Sequence, residues 1–370
     1  MSIQLITKTI GLMKKMILPL LLVTSLVFGS CGDQTECCAP PPEPDPFTSY
    51  FTGDEADAQV TPDFGITMMG GRSEHDNAMR WFLQKANGGD VLVIRASGSD
   101  GYNDYLFSEL GETVNSVETL VINNADAADH PYVIEQINNA EAIWMAGGDQ
   151  SVYLSLWGNS GMRAALNAHI NTKKGVIGGT SAGMAVLGQW VYSAENGTIT
   201  SSEALANPFD NRLTITEDFL NISVLDKVIT DTHYAARDRQ GRHSAFMARL
   251  AKTHGGPVFG IACDEYTAVN IGTDGIARVY GSWPDHNDAV YFIQSRCDTD
   301  PTPEVCEAGS RLTWNLDKKA LYVYKIQGTN GGLRYFNLNN WREGEGGEWF
   351  NWYVEDGSWF EINGQAPDCG

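Results

Sequence analysis

The sequence is short of basic residues. Its 370 residues include 25 lysines and arginines against 46 aspartates and glutamates, which gives a formal net charge of −21. Because binding to a phosphate backbone needs a basic face, this balance argues against nucleic acid as a partner. The same acidity favours solubility and gives cationic ligands an attractive field.

The sequence also lacks the spacings that hold zinc. It has 7 cysteines and 7 histidines, but neither a Cys-x-x-Cys pair nor a histidine-rich cluster is present. We therefore expect no structural metal and no cofactor. Cys263 lies in an apolar run and is predicted to be a buried free thiol.

The other cysteines are candidates for disulfides, which export would permit. Cys297 and Cys306 bracket a polar loop, and we expect them to pair. Cys37 or Cys38 could reach Cys369 and so tie the two ends of the chain together. Spacing alone leaves the connectivity open.

The N-terminal apolar stretch 16–28 is too short for a comfortable membrane span. Three lysines precede it, and Gly-Ser follows it directly before Cys31. This order resembles a bacterial lipoprotein signal, so we predict a signal peptide at 1–31. Cys31 would be the lipidated first residue of the mature protein and would anchor it to the membrane. A plain secretory signal is the alternative. The Pro-rich stretch 32–50 is predicted to be an extended tether.

The pattern from 51 to 278 alternates short apolar runs with helical ones, which indicates βαβ units and a parallel sheet. Strands are expected at 64–69, 90–96, 118–122, 142–145, 175–177, 227–230 and 257–262. Helices are expected at 74–87, 103–110, 131–139, 152–169, 184–190 and 244–252. The alternation lapses between 192 and 225, where turn signals predict an insertion with a short hairpin around 198–200. Residues 279–370 are aromatic and β-prone, and we expect a small β-rich extension there.

One serine stands in a sequence context that is typical of a nucleophile. Residues 179–183, Gly-Thr-Ser-Ala-Gly, fit G-x-S-x-G between a predicted strand and a predicted helix. The glycines allow a sharp turn, which would hold the Ser181 hydroxyl at the carboxyl end of the strand. The following helix would offer free N–H groups and its positive dipole to a developing oxyanion.

A histidine and a carboxylate each follow another predicted strand. His233 comes after 227–230, and Glu265 comes after 257–262. Functional groups of parallel sheets gather at the carboxyl ends of the strands, so both can meet Ser181. A serine nucleophile needs a base, and the base needs an acceptor that fixes its tautomer. These three residues could supply that arrangement.

Four motifs in this order resemble the peptidase S51 family, and within it the cyanophycinase branch. The motifs lie at 147–150, 179–183, 231–242 and 260–265. The resemblance implies an α/β fold: a three-layer sandwich with a mostly parallel sheet, as in class I glutamine amidotransferases (flavodoxin-like). The catalytic domain would span 51–278, with the small β-rich C-terminal extension at 279–370.

The resemblance also implies roles for the triad candidates: Ser181 as nucleophile, His233 as general base and Glu265 as the acid. Some relatives place the acid soon after the serine, so Glu195 stays open as an alternative. Family members often form homodimers, which makes a second copy of the chain an expected partner.

Further residues match the oxyanion hole and substrate site of the family. The oxyanion donors would be the backbone N–H groups of Ala182 and of Gly147 or Gly148. Substrate binding would fall to Gln150, Asp231, Thr232, Arg237, Arg239 and Arg242. Arginines suit a substrate carboxylate, which they can grip with two hydrogen bonds.

Two departures from the family bear on the substrate. Thr232 replaces the usual glutamine, and Leu154 replaces a lysine that is common in cyanophycinases. We therefore predict an exported serine peptidase that hydrolyses β-aspartyl or related acidic peptide bonds, with cyanophycin itself left open. The alternative is a binding or scaffold lipoprotein that keeps the fold without turnover.

Overall fold

The computed structural model describes residues 44–369, and these belong almost entirely to one compact unit, Asp45–Gly370. The predicted signal peptide, Cys31, Cys37 and Cys38 lie outside the described residues. Among those that are described, no helix is long and apolar enough to span a membrane.

Eighteen strands run through the described residues. They are β1 (Thr48–Gly53), β2 (Gly65–Met69), β3 (Asp90–Arg95), β4 (Ser116–Val121), β5 (Ala142–Met145), β6 (Val176–Thr180), β7 (Trp190–Tyr192), β8 (Ile215–Glu217), β9 (Val228–Asp231), β10 (Phe259–Cys263), β11 (Ala268–Ile271), β12 (Ile276–Trp283), β13 (Ala289–Ser295), β14 (Leu321–Gln327), β15 (Arg334–Asn337), β16 (Gly344–Glu345), β17 (Gly347–Glu355) and β18 (Ser358–Asn363).

Eight α-helices connect and cover these strands. They are α1 (Asp76–Lys85), α2 (Ala125–Ala128), α3 (Pro131–Asn139), α4 (Gln150–Trp157), α5 (Gly161–Ala168), α6 (Ala182–Ala185), α7 (Ser201–Ala206) and α8 (Gln240–His254). Short π-helices form at Tyr105–Glu109 and His169–Lys173, and 3₁₀ turns at Ser223–Leu225 and Ala235–Arg237.

The strands form two sheets. The ten-stranded sheet has the order β1-β4-β3-β5-β6-β2-β11-β12-β15-β16, and its centre from β4 to β2 is parallel. The eight-stranded sheet has the order β18-β17-β14-β13-β10-β9-β7-β8, with parallel pairing from β10 through β9 to β7. The predicted α/β class with a β-rich C-terminal region is confirmed, and the strands after residue 279 extend both sheets.

Apolar packing joins the sheets and helices into layers. One cluster takes residues from both sheets, such as Ile177 of β6 and Ile261 of β10, together with α3, α4 and α5. A second packs α8 onto the eight-stranded sheet through residues such as Phe246. A third packs α1 onto the other face of the ten-stranded sheet through Phe82 and Leu83. The strands that precede the triad candidates are therefore held on both sides.

Three predicted elements differ from the structure. The helix expected at 184–190 is only the short α6, and Trp190 already begins β7. The hairpin expected around 198–200 is wrong: Thr200 caps α7, and its side chain and that of Glu203 form a reciprocal capping box. The antiparallel pair of this insertion is β7 with β8. The long helix expected at 152–169 is two helices, because Ser160 accepts a hydrogen bond from the Arg163 N–H and starts a new one.

The predicted Cys297–Cys306 disulfide is wrong, and so is the prediction that Cys369 pairs with Cys37 or Cys38. Cys297 bonds to Cys369, with their Cα atoms 5.3 Å apart, so the C-terminal segment is tied to the end of β13. Cys306 is instead buried, where its carbonyl accepts a hydrogen bond from the Lys252 side chain of α8. Cys263 is a buried free thiol, as predicted.

Candidate active site

Ser181 stands on a sharp turn between β6 and α6. Its backbone has φ 52° and ψ −113°, a region that L-residues seldom occupy and that marks local strain. The turn also needs its glycines, because a Cβ on Gly183 would lie 2.0 Å from the carbonyl oxygen of Met145. Close packing of the turn against β5 thus fixes the direction in which the serine points.

His233 is the second residue after β9, and its imidazole lies beside the serine. The Nε2 atom is 2.8 Å from Ser181 Oγ. Burial lowers the pKa of His233, and the positive charges of Arg237 and Arg239 lower it further, while Glu265 opposes them. The imidazole is therefore neutral at neutral pH, which is the form that can accept a proton.

Glu265 follows β10 and completes the row. Its Oε1 is 2.7 Å from His233 Nδ1, which assigns the Nδ1–H tautomer to the ring and leaves Nε2 free to accept. Burial opposes ionisation of Glu265, but hydrogen bonds from His233 and Arg72 outweigh it and lower the pKa. Glu265, rather than Glu195, contacts His233; Glu195 lies exposed after β7.

The triad candidates come from both sheets. Ser181 follows β6 of the ten-stranded sheet, whereas His233 and Glu265 follow β9 and β10 of the eight-stranded sheet. The backbone joins the two sheets here, because the His233 N–H donates to the carbonyl oxygen of Gly70, 2.8 Å away. The site therefore lies where the two sheets meet.

A small cavity of about 60 Å³ opens beside Ser181. The predicted oxyanion residues Gly148 and Ala182 both line it. The Gly147–Gly148 loop is held by Tyr153, whose hydroxyl donates to the Gly147 carbonyl oxygen. The predicted substrate residues also line it: Gln150, Asp231, Thr232, Arg237, Arg239 and Arg242.

Charge in this cavity is opposite to the charge of the whole chain. Three arginines face a single carboxylate, that of Asp231, so the lining carries a net positive charge. Burial lowers the pKa of Arg239 to about 10, and the positive charges of Arg242 and Arg237 act in the same direction against the attraction of Asp231. The cluster would thus be stabilised by an anion.

The three arginines are not equivalent. Arg242 is buried and paired with Asp231. Arg239 donates to the Thr232 carbonyl oxygen at 2.8 Å and lies 3.3 Å from Asp231. Arg237 is exposed at the mouth of the cavity; its backbone N–H donates to the His233 carbonyl oxygen, but its guanidinium makes no hydrogen bond to the described residues. It is the arginine that is freest to bind a ligand.

The largest of the other cavities described lies far from the triad candidates. A larger cavity of about 810 Å³ is lined by Phe64, Phe259 and Trp341, near the amino ends of β2 and β10 and so away from the triad candidates. Within residues 44–369, no group of three or more His, Cys, Asp or Glu side chains is placed to hold a metal ion.

Sequence reasoning missed two residues beside the triad. Arg72 contacts Glu265, and the buried Asp264 accepts hydrogen bonds from the N–H groups of Ala235 and Ala289, each at 2.8 Å. Burial raises the pKa of Asp264 to about 6. The signal was present for both: Arg72 follows a double glycine at a strand end, and Asp264 precedes the predicted acid.

The chain matches known proteins over this region. The model of peptidase family S51 matches residues 67–279. A cyanophycinase of Synechococcus elongatus is 27% identical over 209 residues, 54% of this chain and 59% of that protein, and one of Geminocystis herdmanii is 25% identical over 176 residues, 48% of this chain and 58% of that protein. The chain thus matches less than two thirds of the length of either relative.

Among solved structures, a peptidase from an acI-B1 Actinobacterium aligns with a TM-score of 0.45 at 16% identity. The alignment covers 62% of this chain and 90% of that one. The family match takes in the Ser181 turn and both strand ends that carry His233 and Glu265, and it extends over more than half of the sequence. The chain belongs to peptidase family S51.

Proposed function

We propose that the protein is an exported serine peptidase in which Ser181 is the nucleophile, His233 the general base and Glu265 the acid that orients it. One observation carries this proposal: the 2.8 Å and 2.7 Å contacts that join the three side chains in a row. Hydrogen-bonded contact of this kind is what a hydroxyl needs to become a nucleophile near neutral pH.

The geometry supports acyl transfer in two steps. His233 Nε2 takes the proton of Ser181 as Oγ attacks the peptide carbonyl, and the N–H groups of Ala182 and Gly148 stabilise the oxyanion. His233 then gives that proton to the leaving amine, which leaves an ester on Ser181. Water attacks the ester with His233 again as base, and the acid product departs with Ser181 regenerated.

We infer that the substrate carries a carboxylate near the scissile bond. The positive charge of the cavity supports this choice, because a bound anion would offset the repulsion between Arg237 and Arg239. A β-aspartyl or related acidic peptide has a free carboxylate beside its scissile bond. The curated relatives are named cyanophycinases. Thr232 departs from the glutamine that is usual in the family the sequence resembles, so cyanophycin is one candidate among several.

Export and lipid anchoring at Cys31 remain part of the proposal. The sequence pattern of residues 1–31 supports both. The Cys297–Cys369 disulfide agrees with an oxidising compartment, where such bonds persist.

Labelling with a fluorophosphonate probe tests the nucleophile. We expect the wild type to be labelled and Ser181→Ala to be silent, while Ser155→Ala, a change of an exposed serine on α4, is labelled normally. Folded wild-type protein that takes no label would favour the binding-lipoprotein alternative. Turnover of cyanophycin, β-Asp-Arg and a panel of α- and isoaspartyl peptides would then define the substrate.

A further inference from the structure

The turn after β2 carries Gly70, Gly71 and Arg72, and it contacts both the base and the acid. The Gly70 carbonyl oxygen accepts the His233 N–H at 2.8 Å, and the Gly71 carbonyl oxygen accepts the Tyr266 N–H at 3.2 Å. Tyr266 directly follows Glu265. One short turn therefore holds the backbone on both sides of the proposed acid–base pair.

The side chain of Arg72 extends this contact to the acid itself. Its Nε donates to Glu265 Oε2 at 3.1 Å, while Oε1 of the same carboxylate contacts His233. A carboxylate held at one oxygen can rotate about its last bond, whereas one held at both oxygens has a fixed plane. Arg72 has φ 72°, so an uncommon backbone conformation supports this reach.

We propose that Arg72 is a positioning residue, which fixes the plane of Glu265 toward His233 and keeps the carboxylate ionised by its positive charge. This role rests on the triad proposed above. The Glu265 side chain is only 13% exposed, whereas the Arg72 side chain is 63% exposed. The arginine thus reaches in from solvent to an acid that is otherwise shielded.

The charges around the pair set the direction of the pH effect. Arg72 faces it from the turn after β2, Arg237 and Arg239 face it from the segment after β9, and Asp264 precedes Glu265 in the chain. Removal of the Arg72 charge leaves the His233–Glu265 pair with a higher affinity for protons. The acidic limb of the rate profile must then move to higher pH.

Three substitutions separate charge from geometry: Arg72→Ala, Arg72→Lys and Arg72→Gln. Arg278→Ala is the matched control, because Arg278 forms an exposed ion pair with Asp274 at the far end of β12. The readout is the second-order rate of inactivation by a neutral fluorophosphonate from pH 4.5 to 9, with circular dichroism as the check on folding. A neutral probe has no carboxylate for Arg72 to bind.

We expect Arg72→Ala to lower the plateau rate about tenfold, because the base is less well oriented. Its acidic limb should move up by roughly half a pH unit, as expected for a partly exposed pair. Arg72→Lys should restore the limb, and Arg72→Gln should restore part of the rate but not the limb. Arg278→Ala should match the wild type.

Different results would overturn the role of Arg72. A wild-type profile in Arg72→Ala would do so, and so would an equal loss in all three variants without a shift of the limb. Unchanged probe kinetics with a raised KM for a carboxylated peptide would make Arg72 a substrate ligand instead. A wild type that takes no label at all would remove the proposed function, and the role of Arg72 with it.

Discussion

The guanidinium of Arg242 donates two hydrogen bonds to the carboxylate of Asp231. Nε lies 2.8 Å from Oδ2, and Nη2 lies 2.6 Å from Oδ1. Both side chains are buried, and the guanidinium carbon lies 5.0 Å from the ring centre of Tyr192. Because these donors are already used, we infer that Arg242 mainly fixes Asp231, two residues before His233, and adds positive charge to the cavity.

The first prediction concerns the stability of this pair. Arg242→Ala leaves a buried carboxylate with only Arg239 to compensate it, so we expect a loss of about 3 kcal/mol in the free energy of unfolding. Arg278→Ala, which breaks an exposed pair, should cost less than about 1 kcal/mol. Urea unfolding of the three proteins measures both. Equal losses would show that the buried pair contributes no more than a surface one.

The second prediction concerns substrate binding by Arg237. Arg237→Ala should raise KM about tenfold for a peptide with a free carboxylate beside the scissile bond, the size expected for a lost charge-assisted hydrogen bond. The effect should vanish when that carboxylate is amidated. Arg311→Ala, an exposed arginine paired with Asp356, is the control. Equal effects on the free and the amidated substrate would show that Arg237 does not bind the carboxylate.

The third prediction concerns pH. The pKa of His233 lies below its ordinary value of about 6.5. Since the neutral imidazole is the base, kcat/KM should rise with pH to a midpoint below about 6.5 and then level off. Arg237→Ala removes a charge that lowers this pKa, so its midpoint should lie higher than that of the wild type. A midpoint that stays in place would show that Arg237 exerts no field on the imidazole.

Sequence patterns predicted the elements that carry the site better than the contacts within it. The strands before Ser181, His233 and Glu265 are present as predicted. Each is a short apolar run that ends in glycine or polar residues, and this pattern is typical of a buried strand. That these strands belong to two sheets could not be predicted, since periodicity shows that a strand exists but not its neighbour. Arg72 was missed for the same reason: its partner is 193 residues away.

The disulfide shows a second limit. Cys297 and Cys306 are close in sequence, and closeness favoured them as a pair. In the structure the loop between them turns Cys306 into the core, while the C-terminal segment brings Cys369 to Cys297. Which cysteine meets which depends on the path of the last strands, β17 and β18, and local sequence carries no information on that path.

The fourth prediction concerns the glycine that faces the imidazole. A Cβ on Gly71 would lie 2.3 Å from His233 Cε1, and its φ of 114° is strained for any other residue. Gly71→Ala must therefore displace the imidazole from its present place between Ser181 and Glu265. We expect kcat to fall about a hundredfold, since a displacement near 1 Å has an effect of that order.

Backbone strain alone is controlled by Gly88→Ala. Gly88 has φ 79° in the turn after α1, where a Cβ would meet no atom within 4 Å. Both variants should lose some stability from strain, but only Gly71→Ala should lose turnover and fluorophosphonate labelling while circular dichroism stays native. Full activity in Gly71→Ala would mean that the imidazole tolerates displacement, and the tight Ser181–His233 contact could then not be what sets the rate.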